Sequence, residues 1–185
     1  HENTVYLPEV KLHDNLKAAP MDALAGNDAT HAILAVPTQF SRATARQYKD
    51  ALKGRSILNA SKGIEIETGK LVVQALQEEI DATFSLISGP SFAKEVAKQR
   101  PTAVSLGSQN EAVAKGWQEN MSNEYLRIYT SGDMNGLEVG GSLKNVIAIA
   151  AGISDGLGYE HNTRAALITR GLAEITRFGV KIYGA

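Results

Sequence analysis

Apolar positions along the first 131 residues fall into short runs separated by segments with helical spacing. Most of the runs are continuous, which is typical of strands buried on both faces of a parallel sheet. They predict strands at about 5–7, 31–37, 56–60, 84–87, 102–106 and 126–129. The segments between them predict helices at about 41–52, 69–80, 91–98 and 111–121, after one or two helical turns at 21–25. Strands that alternate with helices indicate an α/β fold with a doubly wound, mostly parallel sheet.

The pattern changes after Asp133, where the predicted strands stop. Two helices follow, at about 136–158 and 163–179. We therefore place a domain boundary near 130–133, which divides the chain into residues 1–131 and 132–185. The first part is predicted to be a partial doubly wound sheet with an exposed edge, and the second the start of an all-helical domain.

The helix predicted at 136–158 carries one lysine, Lys144, among apolar residues that cover nearly every side. We expect most of this helix to be buried. Gly140 and Gly141 precede the lysine and leave space for a flat ligand to approach the backbone. Removal from water disfavours an ammonium and favours proton exchange with a substrate oxygen. The alternative is a lysine that extends along an ordinary core helix to reach solvent.

Composition excludes several classes of protein. The chain has 185 residues, 43% of them hydrophobic, so it can bury a sizeable core. Its formal net charge of −1 gives no electrostatic case for nucleic acid or a membrane surface. Cysteine is absent, which excludes disulfides and thiolate zinc sites and fits a reducing cytoplasm. No signal peptide or long uncharged apolar run is found, so we expect a soluble protein.

Two kinds of chemistry lack candidates. The four histidines are not at metal-ligand spacing, so no metal site is predicted, and no serine, histidine and aspartate arrangement supports hydrolysis. The histidines are His1, His13, His31 and His161. A G-x-G-x-x-G turn after a first strand, which would hold a dinucleotide pyrophosphate, is also missing.

Candidate ligand-binding residues follow the predicted strands, because ligands bind beyond the carboxyl ends of strands in an open parallel sheet. Phe40 comes after the first long strand, and the Lys62-Gly63 pair follows the next. The segment SGPSFA at 88–93 ends a third strand and starts a helix. There Ser91 can cap the helix, and the exposed amides suit an anionic or polar ligand, although capping alone needs none.

The lysine helix and its neighbourhood resemble a known family. GLEVGGSLKNVIAIAAGISDGLG at 136–158, with NTRAALITRGLAE at 162–174, is similar to the signature of the bacterial-type NAD(P)-dependent glycerol-3-phosphate dehydrogenases. VPTQF at 36–40, SKGIE at 61–65 and SGPSFAKEV at 88–96 resemble the same family in the same order. The resemblance runs over essentially the whole chain.

The resemblance implies interconversion of sn-glycerol 3-phosphate and dihydroxyacetone phosphate with NAD or NADP, in a cytoplasmic homodimer that feeds glycerophospholipid synthesis. Lys144 is then the catalytic residue. The implied substrate-binding residues are Lys62, Gly89, Ser91, Lys144 and Asn145. The implied cofactor-binding residues are Tyr6, Phe40, Lys62 and Ala93. Residues 1–131 become an N-terminally incomplete dinucleotide-binding domain, because the family's glycine turn precedes the region matched here, and 132–185 becomes a C-terminally incomplete substrate domain.

Two alternatives stay open from the sequence. One is a related dehydrogenase that acts on 3-hydroxy acids or 6-phosphogluconate, against which SGPSFA and LITRGLAE argue. The other is a non-catalytic dinucleotide-binding module, whose support is the missing glycine turn.

Overall fold

A five-stranded sheet organises the computed structural model, which describes residues 2–185. Its strands lie side by side in the order in which they occur in the chain: β3 His31–Leu34, β4 Ser56–Asn59, β5 Thr83–Ser88, β6 Thr102–Ser108 and β7 Leu126–Ser131. A separate antiparallel pair precedes them, formed by β1 Glu2–Asn3 and β2 Leu7–Lys11. The strand predicted at 5–7 is therefore wrong in position, since Val5 and Tyr6 form the connection, where the Tyr6 amide donates to the Asn3 side chain.

The predicted α/β fold is confirmed, with one reversal in the sheet. Strands β3, β4 and β5 are parallel, β6 and β7 are parallel to each other, and β5 pairs with β6 antiparallel. Among the described strands β3 pairs only with β4, and its Ile33 is 58% exposed. This strand is the exposed edge expected from the sequence.

The helices follow the predicted order; those predicted at 69–80 and 91–98 are shorter, the one at 111–121 has the predicted bounds, and the last two begin two residues earlier than predicted. They are α1 Ser41–Gln47, α2 Lys49–Leu52, α3 Val72–Gln77, α4 Ala93–Ala97, α5 Glu111–Met121, α6 Met134–Gly156 and α7 His161–Phe178, followed by a π-helical turn at Gly179–Tyr183. Short 3₁₀ turns lie at Met21–Leu24 and Thr38–Phe40. The single helix expected at 41–52 is wrong, because Tyr48 leaves the helical conformation (φ −111°, ψ 19°) and separates α1 from α2.

The core lies on both faces of the sheet. Neighbouring residues of β4 point to opposite faces, as strand geometry requires: Ile57 packs with residues of α1 and α3, and Leu58 with Trp117 of α5. Met134 of helix α6 packs in the same core cluster as Ile57. The helices therefore cover both faces and leave the carboxyl ends of β4 and β5 accessible.

Helix α6 is less buried than its apolar sequence predicts. Met134, Glu138, Val139 and Gly141 are buried where the helix packs on the sheet, but Val146 and Ile149 further along are 60% and 65% exposed. Among the described residues α7 packs against that second half and leaves much of it exposed, so the expectation that most of the helix is buried is wrong here. By length and composition alone α6 could cross a membrane, but one such helix is weak evidence because core helices pass the same test.

Gly171 allows α6 and α7 to approach each other. A Cβ at Gly171 would lie 2.4 Å from Ile147 Cδ1 and 2.9 Å from its Cγ1, whereas a Cβ at Gly152 of α6 would meet nothing within 4 Å. We expect Gly171→Ala to lower the free energy of unfolding by about 1–3 kcal/mol through overpacking. Gly152→Ala should raise it by up to about 1 kcal/mol through helix propensity. Thermal unfolding of the two variants tests this; equal shifts would contradict the close approach.

Candidate functional site

A cleft of about 410 Å³ opens at the carboxyl ends of β4 and β5, between the segments that follow them and helix α6. Its lining comes from three regions of the chain: Lys62; Ser88 to Phe92 with Ser105; and Gly136, Leu137, Gly140, Gly141 and Lys144. Two lysines thus share one cleft, and among the described residues that line it there is no carboxylate. Two cations without an acidic partner favour a ligand that carries negative charge or polarised oxygens.

Lys62 is held over the end of β5. Its ammonium donates to the carbonyl oxygen of Gly89 at 3.3 Å. The pKa of Lys62 is lowered, first because the surrounding protein displaces water from the ammonium and second because the Lys144 ammonium repels it. A negatively charged or polarised oxygen placed between the two ammonium groups would relieve that repulsion.

The segment that carries Lys62 is fixed by the 3₁₀ turn at Thr38–Phe40. The Thr38 hydroxyl donates to the Lys62 carbonyl at 2.8 Å. The Gln39 side chain donates through Nε2 to the Ile64 carbonyl at 2.9 Å. Its Oε1 accepts from the Ile66 backbone amide at 3.0 Å. Gly63 has φ +152° and a Cβ there would lie 2.6 Å from Thr38 Oγ1, so only glycine allows this contact.

An ion-pair network extends this anchoring. Arg42 of α1 donates through Nε and Nη2 to both carboxylate oxygens of Glu65, at 2.7 and 2.9 Å. It also pairs with Glu79, which Arg46 contacts as well. The Arg42 and Thr68 hydrogen bonds hold the pKa of Glu65 at about 2. Because bidentate pairs have a fixed geometry, the segment after Lys62 is tied to α1 at a defined distance.

Lys144 and Asn145 contact each other although they are adjacent on a helix. The Lys144 ammonium donates to Asn145 Oδ1 at 3.0 Å, which brings the two polar groups to one place. Both residues are exposed, so the dry surroundings expected for Lys144 are wrong in this structure. The reason is that α6 turns only its first half towards the sheet.

The remaining predicted substrate residues lie where β5 ends. Gly89 lines the cleft with φ +143°, and a Cβ there would lie 3.0 Å from Val104 Cα, so the position requires glycine. Ser91 also lines the cleft, with its hydroxyl 3.5 Å from the Gly89 carbonyl. The expected cap by Ser91 is wrong: α4 starts at Ala93 and Phe92 precedes it without a side-chain cap. The Ser91 hydroxyl donates to the Gly89 carbonyl instead of capping the helix.

The predicted cofactor residues are more dispersed. Of the four, Lys62 lines the cleft. Ala93 is the exposed first residue of α4, Phe40 ends the 3₁₀ turn that holds Lys62 and is 64% exposed, and Tyr6 is 79% exposed between β1 and β2. An aromatic residue that the sequence did not single out, Phe92, lines the cleft and is 73% exposed. In the sequence, the only indication that Phe92 lines the cleft was its position next to Ser91.

Glu138 is a second residue that the sequence did not single out. It is 4% exposed on α6, and its Oε1 accepts from the Val73 amide at 3.0 Å, in the first turn of α3. Burial raises the pKa of Glu138 to about 7. The hydrogen bonds from the Val73 and Val72 amides lower the pKa, but their effect is smaller than that of burial. The apolar periodicity of the helix gave no sign of this acid, since its partner is 65 residues away.

The fold and the cleft place this chain among the Rossmann-like α/β proteins with a helical segment after the sheet. More specifically, the chain belongs to the NAD-dependent glycerol-3-phosphate dehydrogenase family. The model of that family's N-terminal domain matches residues 1–114, and the model of its C-terminal domain matches residues 133–185. Among residues 2–185 no group of three or more histidine, cysteine, aspartate or glutamate side chains could hold a metal ion.

Individual relatives agree with the family. Glycerol-3-phosphate dehydrogenases, NAD(P)+, from Solidesulfovibrio magneticus and Leptospira biflexa are 44% and 47% identical over 99% and 98% of this chain. The chain spans 57% and 56% of their lengths. The crystal structure of the Coxiella burnetii glycerol-3-phosphate dehydrogenase superposes with a TM-score of 0.88 at 38% identity, covering 97% of this chain and 55% of that one.

Gly140 gives a direct test of the cleft. A Cβ at this position would meet no atom within 4 Å and would project into open space at the cleft wall. Gly140→Ala should therefore keep or raise thermal stability, because alanine is the better helix former. We expect it to weaken ligand binding in the cleft at least about threefold, because the added methyl occupies ligand space. Calorimetric titration of the cofactor and substrate measures this; unchanged affinity for both would exclude this wall as a ligand contact.

Glu138→Gln should reduce the pH dependence of stability. The pKa of Glu138 lies near 7 in the fold against an ordinary 4.5, so its contribution is complete below about pH 4.5 and is lost as the pH rises through 7. The loss amounts to about 3 kcal/mol. Between about pH 5 and pH 8 the variant should therefore lose less unfolding free energy than the wild type. Urea unfolding at a series of pH values measures the slope for each protein, with Glu119→Gln, at an exposed position of α5, as the control. Equal slopes for wild type and Glu138→Gln would contradict the raised pKa.

Proposed function

We propose that the protein containing this chain interconverts sn-glycerol 3-phosphate and dihydroxyacetone phosphate by hydride transfer with NAD or NADP. The observation that carries this proposal is the cleft that both Lys62 and Lys144 line, with no acidic residue among its described lining. Family membership supplies the reaction class. The substrate is a small phosphorylated polyol or ketone, whose oxygens are the groups that two ammonium ions recognise.

The residues present fit the reactive end of a dinucleotide. The cleft is within the size range of small-molecule sites, and Gly140 leaves its wall open for a flat ring to approach. Phe40, Lys62, Ala93 and Tyr6 are the residues that we propose to contact the cofactor. When bound, the nicotinamide supplies or accepts the hydride.

The protein's own residues would position the substrate and move one proton. During reduction the Lys144 ammonium gives its proton to the carbonyl oxygen, and during oxidation the Lys144 amine takes a proton from the hydroxyl. Asn145, hydrogen-bonded to Lys144, orients that lysine and the oxygen together. Lys62, Gly89 and Ser91 hold the substrate against the end of β5, so the reacting atoms meet in one orientation.

Lys62 is the competing candidate for the proton donor. Its pKa is lowered by loss of water and by the Lys144 charge, which favours proton release. Its hydrogen bond to the Gly89 carbonyl and its anchored segment instead favour a fixed binding role. We assign Lys62 to binding, and the kinetic test below separates the two roles.

The wider setting rests on the family resemblance. We propose a cytoplasmic homodimer whose product feeds glycerophospholipid synthesis. We also propose that residues 1–131 belong to the dinucleotide-binding domain and 132–185 to the substrate domain. The change from the last strand, β7, to the long helix α6 between Ser131 and Met134 supports that division.

Lys144→Ala in the full-length protein should reduce kcat by about 10² to 10⁴, the usual contribution of general acid–base catalysis. Cofactor affinity should change little, because the lysine acts on the substrate oxygen. Lys144→Arg should also fail, since a guanidinium does not give up its proton to the carbonyl oxygen during reduction and, always protonated, cannot accept one during oxidation. Lys62→Ala should raise the KM for dihydroxyacetone phosphate as well as lower kcat. Steady-state kinetics with dihydroxyacetone phosphate and NADH or NADPH measure these effects.

The matched control is Lys115→Ala, which removes an exposed lysine of α5 away from the cleft. Near-normal kcat in Lys144→Ala, together with loss of the pH dependence of kcat in Lys62→Ala, would transfer the proton-donor role to Lys62. A wild-type protein that oxidises no NADH or NADPH with dihydroxyacetone phosphate would reject the proposed function itself.

A further inference from the structure

The buried carboxylate of α6 lies at a junction between two parts of the molecule. Glu138 is on the helix that carries Lys144, and its partner, the Val73 amide, is in the first turn of α3 on the sheet side. The carboxylate meets a helix N-terminus, where free amides and the helix dipole favour negative charge or a hydrogen-bond acceptor. The hydrogen bond therefore fixes the orientation of the Glu138 side chain relative to α3, which an apolar side chain at this position would not do.

The same short stretch of α6 makes a second close contact with the sheet. Gly141 is one helical turn after Glu138, and a Cβ there would lie 2.6 Å from Ser88 Oγ at the end of β5. The glycine lets the helix backbone approach the strand. One contact fixes α6 against α3 and the other fixes it against β5, so together they determine both the rotation and the axial position of the helix.

Lys144 lies one further turn along, six residues and about 9 Å of helix rise from Glu138. From Lys144 onwards α6 is mostly exposed, so the described contacts with the sheet that orient the lysine are those made upstream. We infer that Glu138 is a positioning residue, which by accepting the α3 amide holds the lysine helix so that Lys144 lies in the cleft that it shares with Lys62.

This inference rests on the proposed function. Its physical basis is that a misplacement of about 1 Å in a catalytic group can cost up to about 10² in rate. A carboxylate buried only for packing would be replaceable by an apolar residue of equal length, which is often neutral or stabilising. If Glu138 acts through its acceptor oxygen, an apolar residue of equal length cannot replace it.

The test compares Glu138→Gln and Glu138→Met in the full-length protein. Both keep the length of the side chain, but only glutamine keeps an acceptor oxygen for the Val73 amide. We expect kcat of Glu138→Gln to stay within about threefold of wild type and kcat of Glu138→Met to fall about tenfold or more. The KM for NADH should change less than about twofold in both, since none of the four residues that we propose to contact the cofactor lies on α6. Hydrogen exchange of the Val73 amide should be slow with glutamine and faster with methionine.

Ile128→Ala controls for lost stability. Ile128 is buried in the core cluster on the α5 face, so this variant lowers thermal stability without touching α6 or the cleft. Measured well below its unfolding temperature, it should keep kcat. With an active wild type, equal kcat values in Glu138→Gln and Glu138→Met, or a lower kcat in Glu138→Gln, would overturn the positioning role. Absence of wild-type turnover would instead count against the proposed function.

Discussion

The close approach of α6 to the carboxyl end of the sheet is the constraint on which the candidate site depends. Gly141 permits the helix backbone to lie against Ser88, and Gly89 permits the end of β5 to lie against Val104. Larger side chains at these positions would push the elements apart and widen the cleft. The positions of both lysines therefore depend on backbone contacts that only glycine allows.

Charged residues are paired with opposite charges next to the cleft, whereas the lysines in the described lining of the cleft itself are unpaired. Glu65, in the segment after Lys62, and Glu79, after α3, each have an arginine partner, which holds their pKa values at about 2. The two cleft lysines have no such partner among the described lining residues. Charges that fix the structure are thus neutralised locally, while the cleft retains positive charge for a ligand. This division would suit the binding of an anionic ligand without competition from the protein's own acids.

Helix α6 combines two roles along its length. Its first half packs against β5 and β6 and contributes Met134 to the core, and its second half presents Val146, Ile149 and Ile153 to solvent. The chain spans slightly more than half the length of the relatives that it matches. An apolar face of this kind is suited to packing against further helices. Lys144 lies at the transition between the halves, where a ligand can reach it.

Much of the fold followed from the sequence alone, because hydrophobic periodicity reports which faces are buried. The five strands of the sheet, the change to helices after Asp133 and the loops with Lys62, Gly89 and Ser91 were all predicted. These features depend on local spacing and on the general rule that ligands bind at the carboxyl ends of parallel strands. The resemblance in the lysine helix, which the family match bears out, added the reaction class.

Tertiary structure alone decided the features that depend on partners distant in the chain. Glu138 meets the Val73 amide 65 residues away, and nothing in the local pattern of α6 distinguishes it from a solvent-facing acid. The antiparallel pairing of β5 with β6 and the break in the helix at Tyr48 were likewise not visible in the local sequence pattern. The exposure of Lys144 was mispredicted for the same reason: periodicity shows that a helix is apolar, whereas its neighbours determine how much of it is covered.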